Sequence, residues 1–261
     1  MQELQTWLRN IAAFNADFRR IVGSIRIAFW RLASHMLAAP RLLAAALRGQ
    51  SSDYRSGNYQ LPWLPLWPGL AAKPVHCASE YLWTERLVAA WPEILDEMQR
   101  VRTAFDRARY DSDANPKPWN TYYFFLEGRP VREHLAACPR TAGVLQSLPH
   151  NAFHVCFSAI QPGGTLHPHT GPTNASLTAH IGLENCTGAK LWVGEQCVDY
   201  RDGEVVVFDD SFVHWVENGG TGVRYTLMIT FWPPSLSWPE RWFLSRAVQM
   251  RPSQAPARPA I

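Results

Sequence analysis

The sequence carries little net charge. Its 25 basic and 22 acidic side chains leave +3 over 261 residues, too small an excess to make nucleic acid an expected partner. It also lacks a cysteine framework. The five cysteines (Cys77, Cys138, Cys156, Cys186 and Cys197) are odd in number and scattered, with no Cys-x-x-Cys. That argues against a disulfide scaffold or a cysteine-held zinc and fits a reducing compartment. Long apolar runs are missing too, because Arg26, Arg31 and Arg41 interrupt the one candidate for a membrane span. The opening MQELQTWLRN lacks the cationic start of a secretory leader, so a cytoplasmic location is expected.

Apolar residues make up 47% of the chain and charged residues 18%, the balance of a globular protein with one sizeable core and an appendage. The charge is unevenly spread. Residues 1–50 hold seven arginines (Arg9, Arg19, Arg20, Arg26, Arg31, Arg41, Arg48) against Glu3 and Asp17. Leu4, Leu8 and Ile11, then Phe18, Ile21, Ile25, Phe29 and Leu32, recur at helical spacing. Pro40 is expected to break this pattern into two helices and Gly49 to end the second. Residues 1–58 therefore read as a helical extension closed by the linker SSDYRSGN. Two roles stay open for it: packing on the main domain or a dimer contact, or an amphipathic, peripheral contact with an anionic membrane.

The main domain is placed at residues 59–246. After an irregular Pro- and Trp-rich stretch, a helical pattern runs from about Ser79 to Arg109, kinked or split at Pro92. Short β-type runs follow at Thr121–Leu126, Ala152–Ile160, Leu177–Leu183, Lys190–Val193, Glu204–Phe208 and Arg224–Trp232, with one helix at Pro139–Leu148 among them. This order predicts a mainly β fold, an antiparallel barrel or jelly roll flanked by helices. Residues 247–261 read as a proline-rich, disordered tail.

Among nine histidines, three stand in order with a serine and an arginine: Ser158, His169, His180, His214, Arg224. Neutral imidazole suits borderline divalent metals. His214 lies 45 residues after His169, far enough for jelly-roll strands to bring the chain back. Arg224 places a forked, permanent cation on the next strand, suited to a carboxylate. Strand alternation puts it on one face with Thr226, Met228 and Thr230, where a buried guanidinium needs an anion. His180 has a bland alternative as a core histidine bonded to a carbonyl. Asp209 and Asp210 have another, as turn caps. Trp192 and Trp215 are read either as core or as pocket lining.

The segments HTGPTNASLTAHIGL and DGEVVVFDDSFVHWVEN, with weaker matches in PGLAAKP and CPRT, resemble the aspartyl/asparaginyl β-hydroxylase family over about residues 68–235. The resemblance implies a double-stranded β-helix and an enzyme that uses Fe(II), 2-oxoglutarate and O2. It makes His169 and His214 the iron ligands, gives Ser158 and Arg224 the distal carboxylate of 2-oxoglutarate, and gives His180 the carboxylate nearer the metal. Related oxygenases complete a facial triad with a carboxylate two residues after the first histidine. Here that residue is Gly171, so water or chloride would fill the third position, with Asp210 as a group that orients such a water.

Ser176 and Thr178 share a face with His180 by alternation and are expected to meet substrate. Family members that act on acidic side chains carry arginine on this strand. Two hydroxyls cannot neutralise a buried carboxylate, although Arg129 and Arg132 are candidates to compensate. The expected substrate is therefore a small molecule less acidic than peptidyl aspartate, with hydroxylation of an unactivated C–H bond as the reaction and a natural-product pathway as one setting. A lipid acyl chain and peptidyl Asp/Asn are the alternatives. A non-catalytic, cupin-like binding module is the rival from outside enzymology. Retention of Ser158, His180 and Arg224 together disfavours it, since a bare metal-binding barrel needs none of them.

Overall fold

The computed structural model describes residues 28–44, 47, 59–62, 64–108, 117 and 119–249. The patterned segment before residue 28, the expected linker 51–58 and the tail 251–261 lie outside them.

The helices are α1 (28–44), α2 (Trp83–Ala89), α3 (Trp91–Val101), α4 (Arg132–Ala137), α5 (Pro139–Gln146) and α6 (Trp238–Gln249). The strands are β1 (Val75–His76), β2 (Asp106–Arg107), β3 (Trp119–Leu126), β4 (Arg129–Pro130), β5 (His150–Ile160), β6 (Thr165–His169), β7 (Leu177–Glu184), β8 (Ala189–Val193), β9 (Gln196–Asp199), β10 (Val205–Phe208), β11 (His214–Asn218) and β12 (Arg224–Phe231). They form two antiparallel sheets. The major sheet runs β1-β10-β7-β12-β5-β3-β2, with β4 added beside β3, and the minor sheet runs β6-β11-β8-β9. This is the double-stranded β-helix expected, in which alternate turns of the chain feed opposite sheets.

Alternation along the central strands separates two environments. Val155 and Phe157, Ile181 and Leu183, and Leu227 and Ile229 turn outward and join Leu87, Ile94, Met98 and Leu145 of the helices in one apolar cluster. Between the sheets a second cluster gathers Trp119, Ile160, Leu191, Val193, Tyr200, Val206, Phe208, Phe212 and Val216. The remaining inward positions of the major sheet are mostly polar.

Several sequence expectations need correction. The helical pattern expected to run to about Arg109 ends as α-helix at Val101, and of the two outcomes expected at Pro92 the structure has the split, at Ala90, with Pro92 in the first turn of α3. A missing N–H costs nothing there, because first-turn donors have no helical acceptor. α1 runs unbroken through Pro40. The hydrogen bond lost at Pro40 is offset by docking of the flanking residues: Ala38 is fully buried, and the Arg41 guanidinium donates to the Pro68 carbonyl and the Glu240 carboxylate, both at 2.8 Å. Trp30 also donates to the Pro65 carbonyl, so this part of the extension is packed on the domain. α6, not foreseen, continues past residue 246, where the tail was placed. Among the described residues, no helix is long and apolar enough to cross a membrane.

The CPRT segment has a structural account. Pro139 opens α5, and the buried Glu97 carboxylate of α3 accepts from the Arg140 and Thr141 backbone N–H groups at 2.9 and 2.7 Å. These first-turn donors have no other helical partner. Glu97→Ala is expected to cost roughly 2–4 kcal/mol, the worth of two charge-assisted bonds less any water that enters. Chemical denaturation measures it, and a loss under about 0.5 kcal/mol would show that the cap is dispensable.

Candidate metal and oxoacid site

His169 ends β6 and His214 begins β11, and the two residues pair directly across the minor sheet. Their ring centroids lie 4.1 Å apart. Each ring is held from behind: His169 Nδ1 lies 2.7 Å from the His167 carbonyl, and His214 Nδ1 lies 2.9 Å from the Phe212 carbonyl. A carbonyl only accepts, so both Nδ1 atoms carry the proton and both Nε2 atoms present lone pairs. Burial, then the neighbouring His169, pushes the His214 pKa well below its ordinary value. The ring therefore stays neutral, as a ligand must.

Asp210 stands where a third ligand's side chain would stand. The Gly171 backbone N–H donates to the Asp210 carbonyl, and a Cβ on Gly171 would fall on the Asp210 carboxylate. One carboxylate oxygen accepts from the Thr178 hydroxyl at 3.1 Å. The other is buried without a hydrogen-bond partner. Burial pushes the Asp210 carboxyl up to about 7. No group of three or more His, Cys, Asp or Glu side chains suited to a metal occurs among the described residues. The donor set is thus two imidazoles and one nearby acceptor suited to a coordinated water. Asp209 differs from its neighbour and does cap a turn, through Ser211 N at 2.9 Å and Ser211 Oγ at 2.6 Å.

On the facing sheet, Arg224 is 1% exposed. One terminal nitrogen donates to Thr226 Oγ1 at 3.0 Å, while Nε and the other terminal nitrogen have no partner. The Tyr200 ring lies beneath the guanidinium, 4.5 Å from its carbon. Thr226 is flanked by Ser158 on β5 and Gly182 on β7, and Ser158 in turn by Thr121 on β3. This gives a cross-strand row of hydroxyls beside the cation. Ser158 accepts from the Trp119 indole at 2.9 Å, which leaves its own proton free to donate. Gly182 allows a close approach, since a Cβ would strike the Arg201 carbonyl. His180 Nδ1 lies 2.7 Å from the Tyr200 hydroxyl, and its Nε2 is buried and unpartnered. Burial, then the Arg224 charge, holds His180 neutral. Its bland alternative, a carbonyl-bonded core histidine, does not apply. Tyr200 escaped the sequence reading, because a tyrosine just after a short strand carries no motif.

The expected substrate contacts fare less well. Ser176 Oγ accepts from the Asn151 amide at 2.8 Å and keeps its own proton, whereas the Thr178 hydroxyl proton is given to Asp210. Trp215 lies on the face of β11 opposite His214, stacked on Trp192 at 5.4 Å, and so does not line the space between the sheets. Arg129 is exposed on β4, at the edge of β3. Arg132 is exposed at the start of α4, whose His134 stacks on Tyr122 on the outer, helix-covered side of β3. Neither arginine joins the histidines.

The site thus lies in a double-stranded β-helix with paired imidazoles on one sheet and a buried, incompletely bonded cation on the other. The family model for aspartyl/asparaginyl beta-hydroxylase matches residues 88–234, and the chain belongs to that family. It is 34% identical to mouse aspartate beta-hydroxylase domain-containing protein 2 over 75% of this chain and 59% of that one. It is 28% identical to human aspartyl/asparaginyl beta-hydroxylase over 66% of this chain and 24% of that one. Identity to the ornithine lipid ester-linked acyl 2-hydroxylase of Rhizobium tropici is 27%, over 63% and 62%. The chain spans from 36 to 59% of the length of the mammalian domain-containing relatives.

The buried Asp209 carboxyl is pushed up to about 8, by burial first, from an ordinary 3.8. The folded protein therefore keeps this proton up to about pH 8, whereas the unfolded chain releases it near pH 4. Stability from this group is full below the unfolded value and fades as pH rises through the folded one. Asp209→Asn is expected to flatten the fall in stability between about pH 4 and 8 by as much as ~1.4 kcal/mol per unit. Parallel stability–pH curves for the two proteins would contradict this.

Proposed function

We propose that this protein is an Fe(II)- and 2-oxoglutarate-dependent oxygenase that hydroxylates an unactivated C–H bond of a small molecule lacking an acidic group near the reacting carbon. The observation that carries the reading is the buried Arg224 guanidinium with two unpartnered donor nitrogens, on the sheet facing the paired histidines. A dicarboxylate that also chelates a metal satisfies both sheets at once. His169 and His214 would hold the metal through Nε2, and the free Asp210 oxygen would accept from a coordinated water. Iron, when bound, supplies oxygen activation coupled to decarboxylation of 2-oxoglutarate to succinate and carbon dioxide.

The chain's own groups then orient and neutralise. Arg224 and the Ser158 hydroxyl would take the distal carboxylate, and His180 Nε2–H the carboxylate nearer the metal. That tautomer of His180 needs Nδ1 to accept, and Tyr200 O–H is the donor in place. Tyr200 therefore sets a tautomer and supports the cation with its ring. The preference for a less acidic substrate follows from the charge inventory. Among the described residues, Arg224 is the one cation on the inward face of the central strands β5, β7 and β12, and 2-oxoglutarate occupies it. A second substrate reading, a lipid acyl chain, is favoured by the exposed apolar face of α1.

His169→Ala and His214→Ala are each expected to abolish succinate production and to weaken Fe(II) binding strongly, since two protein ligands leave none to spare. Near-normal turnover in either variant would remove the metal assignment. Arg224→Ala should cost roughly 2–5 kcal/mol of cosubstrate binding with iron affinity retained, and Arg224→Lys should recover only part because an ammonium lacks the fork.

Tyr200→Phe separates positioning from bulk. The ring under Arg224 stays, and only the bond to His180 is lost. The 2-oxoglutarate KM should rise about tenfold, the scale of one buried hydrogen bond, with kcat much less affected and the melting temperature nearly unchanged. An unaltered KM would place Tyr200 in a purely structural role.

A further inference from the structure

Helix α1 docks along one side only. Trp30 meets Trp67 and Phe243, Arg41 meets Glu240, and Ser34 and Ala38 between them are buried. At 100° per residue, Leu32, Met36, Leu43 and Leu47 fall within a sector of about 60° on the far side. These four are 62, 68, 62 and 80% exposed, and Phe29 at the edge of the same sector leans on Phe243 of α6, with ring centroids 6.2 Å apart. Side chains this exposed project from the surface rather than line a groove. α6, against which α1 packs, adds Trp238 and Trp242 at 75 and 53% exposure, one turn apart. Arg246 lies over the Trp242 ring at 5.7 Å.

The charge of this stretch of sequence selects the occupant. No Asp or Glu occurs between Asp17 and Asp53, whereas Arg19, Arg20, Arg26, Arg31, Arg41 and Arg48 fall in that interval. Only Arg41 among the described arginines of α1 is neutralised, by Glu240. A second copy laid on this face would find no carboxylate on α1 to pair with Arg31, since the helix carries no Asp or Glu. A projecting apolar stripe on a helix that carries arginine and no acidic residue, with tryptophans beside it, matches instead a layer of acyl chains beneath anionic phosphates. We propose that α1, with the outer face of α6, seats this protein on the surface of an anionic bilayer. The stripe enters the acyl boundary, and Arg31 on the polar side of α1 reaches the phosphates.

The proposal is independent of the chemistry between the sheets and is tested without turnover. The full chain is sedimented with vesicles of phosphatidylglycerol and phosphatidylcholine in equal parts, and with phosphatidylcholine alone. Binding should be about tenfold tighter to the anionic vesicles and should weaken with salt. Leu32→Glu combined with Met36→Glu should lower it by about tenfold or more, and Arg31→Glu by roughly fivefold or more. Circular dichroism and thermal unfolding should not change, since these side chains support nothing in the described fold. If the double variant unfolds, Arg31→Glu still reads the electrostatic arm by itself. Absence of vesicle binding by the full chain, equal binding to both vesicle types, or full binding by Arg31→Glu would each overturn the proposal. So would a dimer in sedimentation velocity that Met36→Glu disperses while vesicles go unbound, which assigns the face to a second copy.

Discussion

A guanidinium sealed from water and given only part of its hydrogen bonds governs the interior of this molecule. Arg224 cannot shed its charge, and burying it unpaired would cost several kcal/mol. Thr226 satisfies one donor, the Tyr200 ring offers its negative face, and two donor nitrogens remain. The surroundings are arranged for an anion to complete them. Hydroxyls of Thr121, Ser158 and Thr226 cross three strands in a row, and His180 presents a second unsatisfied nitrogen. Buried polar groups without partners are rare in folded proteins, and here several gather beside one cation.

The rest of the fold makes that interior rigid. Helices α2, α3 and α5 pack on the outward face of the central strands, and α5 is fixed to α3 by Glu97. The loop carrying Gly171 to Asn174 is pinned at both ends. Gly171 is bonded to Asp210, and the Asn174 amide bonds both backbone groups of Trp67 at 2.7 and 3.0 Å. Trp67 belongs to the cluster on which α1 and α6 rest. The N-terminal helix is therefore mechanically continuous with the segment that follows the first metal-type histidine.

The central strands were legible because their alternation is regular: β5, β7 and β12 begin and end within about two residues of expectation. The strands that carry the two histidines were not. TLHPH contains Pro168 and three largely exposed residues, which read as loop, and it persists as a strand because β6 is the edge of its sheet, where proline is tolerated. β11 follows a turn built by Asp209 and Ser211, and HWVEN is too short to announce itself. The histidine pair was legible from motif and order. Its companions depended on tertiary detail. The partners of Ser176 and Thr178 lie 25 and 32 residues away in sequence, and the Trp215 side chain follows from a register that spacing alone does not give.

The contact between Gly171 and Asp210 bears on how such a site changes over evolutionary time. The two positions share one volume, and that volume holds a single carboxylate, delivered from the strand leading to the second histidine rather than from beside the first. A carboxylate placed at 171 by one substitution would be set against the carboxylate already at 210. An acidic side chain beside His169 therefore calls for a compensating change 39 residues further along the chain.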